Sequence, residues 1–258
     1  MGRLQRTLSN ITEETGADNG CIGVVGGSVD YPNQPALTAR AALRTGSDHV
    51  RAVVSEEIYD IVASHDPNLL ASKYEGERFD AVAVERVVEV SEWADAMVIG
   101  PGFADAEPDA VREAIDRIDV PIVVDAIAIE PSLDADLSKA ILTPNESEED
   151  AITESYNSLE AFTRETNAVL TFTGDTDEII AHGERMQNET GTSALTVAGT
   201  GDTLAGITAS LLGQGSDREE AAELGAWILG KSGELATAEK GPGVLATDVI
   251  GKIPDTIR

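Results

Sequence analysis

The stretch Thr196-Val197-Ala198-Gly199-Thr200-Gly201-Asp202-Thr203-Leu204-Ala205-Gly206 sets two glycines and an aspartate directly ahead of an apolar-periodic run. Leu204, Ile207, Leu211 and Leu212 recur at the i, i+3, i+7, i+8 spacing of a buried helix face, which predicts a helix over 203–214. Glycine lets a ligand approach the backbone with no Cβ in the way. The first N–H groups of a helix have no acceptor inside it, and the helix dipole is positive at that end. A turn of this kind binds a phosphate or a developing oxyanion. A carboxylate at the helix start is either an N-cap or a general base held beside the anion. The paired glycines favour the base, so Asp202 is the candidate catalytic residue. The segment lacks the Gly-Lys-Ser/Thr ending of a Walker A loop, and it comes too late in the chain for a dinucleotide-binding fingerprint.

Upstream, short apolar runs alternate with helical patterns. Strands are expected at 22–25, 50–54, 96–99, 121–124, 140–142, 168–172 and 178–181, and helices at 35–44, 106–116, 146–151, 158–166, 203–214 and 218–237. The alternation predicts an α/β fold, a mainly parallel central sheet with helices on both faces. The polar stretch 68–85 reads as a surface excursion. Several strands end in glycine or a polar group: Gly26-Gly27-Ser28, Gly100-Pro101-Gly102, Asp125 and Thr143-Pro144-Asn145. Ligands of open α/β sheets bind at the carboxyl ends of the strands, so these points are expected to share one cleft.

Composition narrows the function classes. The 258 residues suit one large α/β domain, with a radius of gyration of roughly 18 Å when folded. Eighteen basic residues face 47 acidic ones, a net charge of −29. That charge excludes nucleic acid and an anionic membrane surface as partners, since both need Lys and Arg. The acid is spread through ordinary amphipathic segments and reads as a surface built for a salt-rich cytoplasm, where self-repulsion is screened. One cysteine, Cys21, excludes an intrachain disulfide and reads as a small buried hydrophobe. No membrane span or signal segment is apparent, so a cytoplasmic protein is expected. His49, His65 and His182 share no metal-like spacing and read as surface or turn residues; Trp93 and Trp227 read as core.

Longer motifs carry a resemblance. Asn188-Glu189-Thr190-Gly191, Ala198-Gly199-Thr200-Gly201-Asp202-Thr203-Leu204-Ala205-Gly206-Ile207 and Leu211-Leu212-Gly213-Gln214-Gly215 resemble the signature of the ribokinase-like superfamily. Gly26-Gly27-Ser28 with Tyr31 and Pro35, Ala41-Ala42-Leu43-Arg44-Thr45-Gly46, Val98-Ile99-Gly100-Pro101-Gly102, Leu142-Thr143-Pro144 and Gly243-Val244-Leu245-Ala246-Thr247-Asp248-Val249-Ile250 narrow it to the ADP/ATP-dependent NAD(P)H-hydrate dehydratase family. The resemblance implies a single ribokinase-like catalytic domain over 1–258. It also implies repair of hydrated NADH or NADPH: the nucleotide phosphorylates the ring hydroxyl, and phosphate then leaves to restore the double bond. Asp202 matches the family's catalytic aspartate. Gly199, Thr200 and Gly201, with Thr173, Gly174 and Asn188, match nucleotide and phosphate contacts. Tyr31, Gln34, Gly102, Asn145 and Asp202 match substrate contacts. ADP or ATP as cosubstrate, Mg²⁺, and a homo-oligomer follow from the same resemblance. The first strand comes so early that a fused epimerase has no room, so a separate epimerase is expected to act on the same substrate.

The chain also departs from the family. Asn145 replaces the usual histidine, Ile127 the second of two aspartates, Thr173 a lysine, and Asn33-Gln34 a Gly-Ala pair. Asn145 with Glu148 forms Asn-x-x-Glu, which is either a Mg²⁺ site built on a water-rich shell or an N-capping box for the next helix. The Asn-x-x-Glu pattern also leaves open a kinase for a vitamin precursor or other alcohol. Altered substrate contacts leave open a nucleotide-binding homologue without turnover.

Overall fold

The computed structural model describes residues 19–174 and 176–258. In chain order its elements are β1 (Cys21–Val25), α1 (Gln34–Thr45), β2 (His49–Ser55), α2 (Tyr59–Ala63), β3 (Leu70–Tyr74), α3 (Ala81–Ser91), β4 (Ala96–Ile99), α4 (Pro108–Arg117) and β5 (Ile122–Val124). Then follow α5 (Ile129–Ser132), β6 (Ala140–Leu142), α6 (Glu149–Tyr156), α7 (Leu159–Thr166), β7 (Val169–Phe172), β8 (Asp177–Ala181), β9 (Glu184–Asn188), α8 (Thr200–Gly213), α9 (Arg218–Lys240) and α10 (Ala246–Thr256).

The strands form one sheet in the order β3-β2-β1-β4-β5-β6-β7-β8-β9. β1 to β7 are parallel; β8 and β9 turn back as an antiparallel edge. Ile22 pairs with Val50 on one side and Ala96 on the other, so β1 sits between the strand that follows it and a strand that returns from the far side. The chain reverses its direction of winding there. Crevices at such switch points are where α/β sheets take ligands. Central strands read as continuous apolar runs because both faces are covered. One core cluster joins β1 and β2 to α1, α8, α9 and α10, and the other joins the opposite face to α3, α4, α6 and α7. The expected mainly parallel sheet with helices on both faces is the observed one.

Three expectations need correction. The stretch 68–85 is not a surface excursion: it contains β3 and the start of α3. Asp80 caps α3, accepting from the Val82 N–H at 2.9 Å, and Ala83, Val84, Val87, Val90 and Ser91 form its buried face. The charged residues around 75–80 hid a helix whose period continues beyond the stretch. The helix after Asp202 begins at Thr200, and every residue from Thr203 to Leu212 is buried. It lies between the sheet and two helices, α1 and α9, so no face remains for water. Cys21 is only partly buried, at the start of β1.

The histidines stand near the surface as expected, with His49 opening β2 and His182 in the β8–β9 turn paired to Glu219 at 2.9 Å. Trp227 packs against one core cluster and Trp93 against the other, its ring covered by the Arg51 guanidinium at 4.8 Å. Among the described residues no helix is long and apolar enough to cross a membrane.

Candidate active site

β1, β4, β5, β6 and β7 point the same way, so the residues that follow them emerge along one edge of the sheet. The Gly27 N–H donates to the Pro101 carbonyl at 2.8 Å, closing the β1 and β4 loops on each other. Gly102, with φ of 77°, lies against the Tyr31 carbonyl and the Gln34 Cβ. A Ser28–Tyr31 turn holds the Tyr31 ring out, about half exposed at 51%. Gln34 opens α1 just before Pro35, and its buried Oε1 has no hydrogen-bond partner. Three residues expected to contact substrate, Tyr31, Gln34 and Gly102, are therefore neighbours.

Asp125 follows β5 and is 5% exposed. Thr143, following β6, donates its Oγ1 hydrogen to Asp125 Oδ1 at 2.6 Å. Asn145 and Thr173, after β6 and β7, form an isolated parallel bridge, and the Thr173 N–H donates to the Pro144 carbonyl at 2.9 Å.

α8 runs antiparallel to these strands. Its C-terminal part meets the loop ahead of β2, where Ser210 Oγ and Ser47 Oγ share a hydrogen bond of 2.7 Å and Gln214 Nε2 donates to the Thr45 carbonyl at 3.3 Å. Its N-terminus therefore hangs over the carboxyl ends of the sheet, beside the loops just described. Gly199 is the N-cap with φ of 93°, a left-handed turn that suits glycine, and no side chain caps this end. Asp202 is the third helical residue, so it is not the N-cap. The Thr200 N–H donates to the Val197 carbonyl at 3.4 Å, while the Gly201 N–H stands in the first turn, where no intrahelical acceptor exists. A Cβ at Gly201 would meet no protein atom within 4 Å, and Gly201 lies outside the positive-φ region. The protein's own packing gives no reason for glycine there; an anion lying against the turn would.

Asp202 and Asp125 repel each other across this space. Burial, then the Asp125 charge, pushes the Asp202 carboxyl up to about 7, although its own N–H opposes the shift. Burial pushes Asp125 up to about 6, with Glu148 adding to the rise and the Thr143 hydrogen bond opposing it. Burial also raises Glu148. Two carboxylates pushed to near neutrality in one cleft are suited to taking and releasing protons at physiological pH.

Other expected site residues are held in structural roles. Asn188 ends β9 and is buried; its amide donates to the Ala226 carbonyl at 3.2 Å, and its Oδ1 accepts from Thr190 Oγ1 at 2.8 Å. That ties the edge strand to α9. The Gly174 N–H is taken by the Asp177 carboxylate. Asn145 and Glu148 form a reciprocal turn. The Asn145 N–H donates to Glu148 Oε2 at 3.0 Å, and Asn145 Oδ1 accepts from the Ser147 N–H at 2.8 Å. The two side chains close a turn ahead of α6, which starts at Glu149, later than the expected 146, with Glu148 as its N-cap and no side-chain cap, so the expected capping box for that helix is not formed. Asn145 Oδ1 and Glu148 Oε2 are engaged within this turn, and among the described residues no group of three or more His, Cys, Asp or Glu is placed to hold a metal. The residues do not fit a resident metal centre. Asp125 and Thr143 were absent from the expected contacts. The signal for Asp125 was an acid closing an otherwise apolar strand; for Thr143 it was its place after a strand, within the Leu142-Thr143-Pro144 motif.

Residues 22–255 match the model of the family described as NAD(P)H-hydrate dehydratase. Over its full 258 residues, with both chains covered entirely, the chain is 71% identical to the ADP-dependent (S)-NAD(P)H-hydrate dehydratase of Haloterrigena turkmenica. Among solved structures, the ADP/ATP-dependent NAD(P)H-hydrate dehydratase from Bacillus subtilis, co-crystallized with ATP/Mg²⁺ and soaked with CoA, superposes with a TM-score of 0.78 at 21% identity, covering 99% of this chain and 97% of that one. Arabidopsis thaliana ribokinase complexed with ribose and ATP does so at 0.57 and 13%, covering 93% and 99%. These two likenesses place the fold among the ribokinase-like proteins, and the family match over residues 22–255 places this chain in the NAD(P)H-hydrate dehydratase family.

Proposed function

We propose that the protein restores NADH and NADPH from their hydrated forms, using ADP as phosphoryl donor, with the chain acting as one catalytic domain. Asp202 takes the proton from the ring hydroxyl as that oxygen attacks the terminal phosphorus. The Gly199-Thr200-Gly201 turn, with the positive end of α8, receives the transferring phosphoryl group. Catalysis here is positioning plus charge stabilisation at a helix N-terminus. Phosphate then leaves the ring and the double bond returns. Tyr31, Gln34, Gly102 and Asn145 border the substrate side, while Thr173 and Gly174 border the nucleotide side. Mg²⁺ enters with the nucleotide, since among the described residues no group of three or more His, Cys, Asp or Glu could hold it. The acidic surface, at a net charge of −29, suits a salt-rich cytoplasm.

The observation that carries this reading is the place of Asp202: in the first turn of α8 but not its N-cap, within reach of the charge of the buried Asp125 and next to Gly201, where an added Cβ would meet open space. The test is incubation with hydrated NADH and ADP or ATP, following NADH absorbance and phosphate. NADH recovery matched by phosphate release supports the proposal. Phosphorylation of another alcohol with no NADH recovery overturns it in favour of a kinase. Nucleotide binding with neither product would mean a homologue without turnover.

A further inference from the structure

We propose that Asp125 is a second catalytic residue, the base that takes the ring proton when phosphate leaves. This rests on the dehydratase reading above. The hydrated ring differs from the dihydronicotinamide ring of NADH by a hydroxyl on one carbon and a hydrogen on its neighbour, so repair releases protons from two separate atoms. In the first step the O–H bond breaks, the ring oxygen bonds to the terminal phosphorus, AMP leaves with the electron pair of the broken P–O bond, and the proton goes to Asp202. In the second step the C–H bond on the neighbouring carbon breaks and its electron pair becomes the ring double bond. The C–O bond breaks at the same time, and phosphate departs with that pair. The carbon-bound proton needs an acceptor while Asp202 still holds the first.

Asp125 is built for that role. It stands at the carboxyl end of β5 in the middle of the sheet, between the β4 loop at Gly100 and the β6 loop at Thr143, near enough to Asp202 for its charge to raise that carboxyl. The Thr143 hydroxyl, at 2.6 Å, fixes the carboxylate's orientation. Among the described residues no cation is paired with Asp125; the charged groups acting on it and across from it are Glu148 and Asp202, both acids. A buried carboxylate without a cationic partner costs stability, so its presence at the head of the site is explained by chemistry and not by folding. Its raised proton affinity lets it accept a proton and release it near neutral pH.

The test uses rapid-quench kinetics with ADP and hydrated NADH, unlabelled or deuterated at the neighbouring ring carbon. In Asp125→Asn, AMP is expected to form in a burst close to the wild-type rate. NADH recovery is expected to slow by roughly 10²-fold or more, with a deuterium isotope effect on that slow step. AMP and NADH appearing together at the wild-type rate would overturn the proposal, as would joint loss of both in a folded variant, or a slow step insensitive to deuterium. Should Asp125→Asn fail to fold, Thr143→Val keeps the acid but frees its orientation. NADH recovery should then slow with AMP formation kept, and equal slowing of both would refute the role. A wild-type enzyme that makes no AMP from hydrated NADH would instead overturn the dehydratase reading itself.

Discussion

Asp202→Asn should sharply reduce turnover and make the free protein more stable. In the fold the Asp202 carboxyl is raised to about 7 from an ordinary 3.8, mainly by burial and then by the Asp125 charge. Each unit corresponds to about 1.4 kcal/mol, so keeping the group ionised in the native state costs up to ~4 kcal/mol. Partial contact with water reduces that figure, and loss of a negative charge near the α8 dipole removes roughly 0.3–1 kcal/mol of favourable interaction. A net gain of about 2–3 kcal/mol remains, or a rise in Tm of roughly 4–10 °C. The native pKa lies above the unfolded one, so the native state holds the extra proton between about pH 4 and 7. The cost is absent below that window, grows through it and is complete above it. The stability gain of Asp202→Asn should therefore be near zero at about pH 4 and full at about pH 8. Thermal or denaturant unfolding of both proteins at the two pH values, beside NADH recovery assays, measures it. Turnover should fall by at least roughly 10²–10⁴-fold. A variant less stable than wild type at the higher pH would mean that Asp202 holds the helix end together. Wild-type turnover would remove it from the chemistry.

Further outcomes follow from the same geometry. kcat/KM should fall as pH drops through the range from about 7 to about 6, because Asp202 must lose its proton to act and is coupled to Asp125; a profile flat to about pH 5 would contradict this. Removing the neighbouring charge in Asp125→Asn should move that midpoint down, in whichever step remains measurable. Gly201→Ala places a methyl where no protein atom lies within 4 Å, so the free protein should keep or gain stability, by up to about 1 kcal/mol. Its nucleotide affinity and turnover should drop, and unchanged nucleotide affinity in a titration would show that no anion approaches this turn. Lowering salt from about 1 M to about 0.1 M lengthens screening from roughly 3 Å to roughly 10 Å. With a net charge of −29 the Tm should then fall, and a Tm independent of salt would refute the salt-rich reading.

The sequence by itself determined the sheet, the helices on both its faces and the Gly-Thr-Gly-Asp turn. Each of these rests on local periodicity or on glycine chemistry that neighbouring residues do not alter. Ile22 to Val25, Ala96 to Ile99 and Ile122 to Val124 could hardly be anything but buried parallel strands. β3 and α3 were less legible because charged residues around 75–80 masked a helical period that only the packing of Val84, Val87 and Val90 reveals. Tertiary structure alone decided what the polar residues do. Asn188 became a tie between β9 and α9 because Ala226, 38 residues away, presents a carbonyl to it. Asn145 and Glu148 are the exception: their oxygens accept N–H groups two and three residues away, a local turn that the sequence pattern had left open. Asp125 and Asp202 lie far apart in the chain, and only the antiparallel passage of α8 over the parallel strands sets one carboxylate against the other. Proton affinity depends on such long-range burial and charge, which no local pattern encodes.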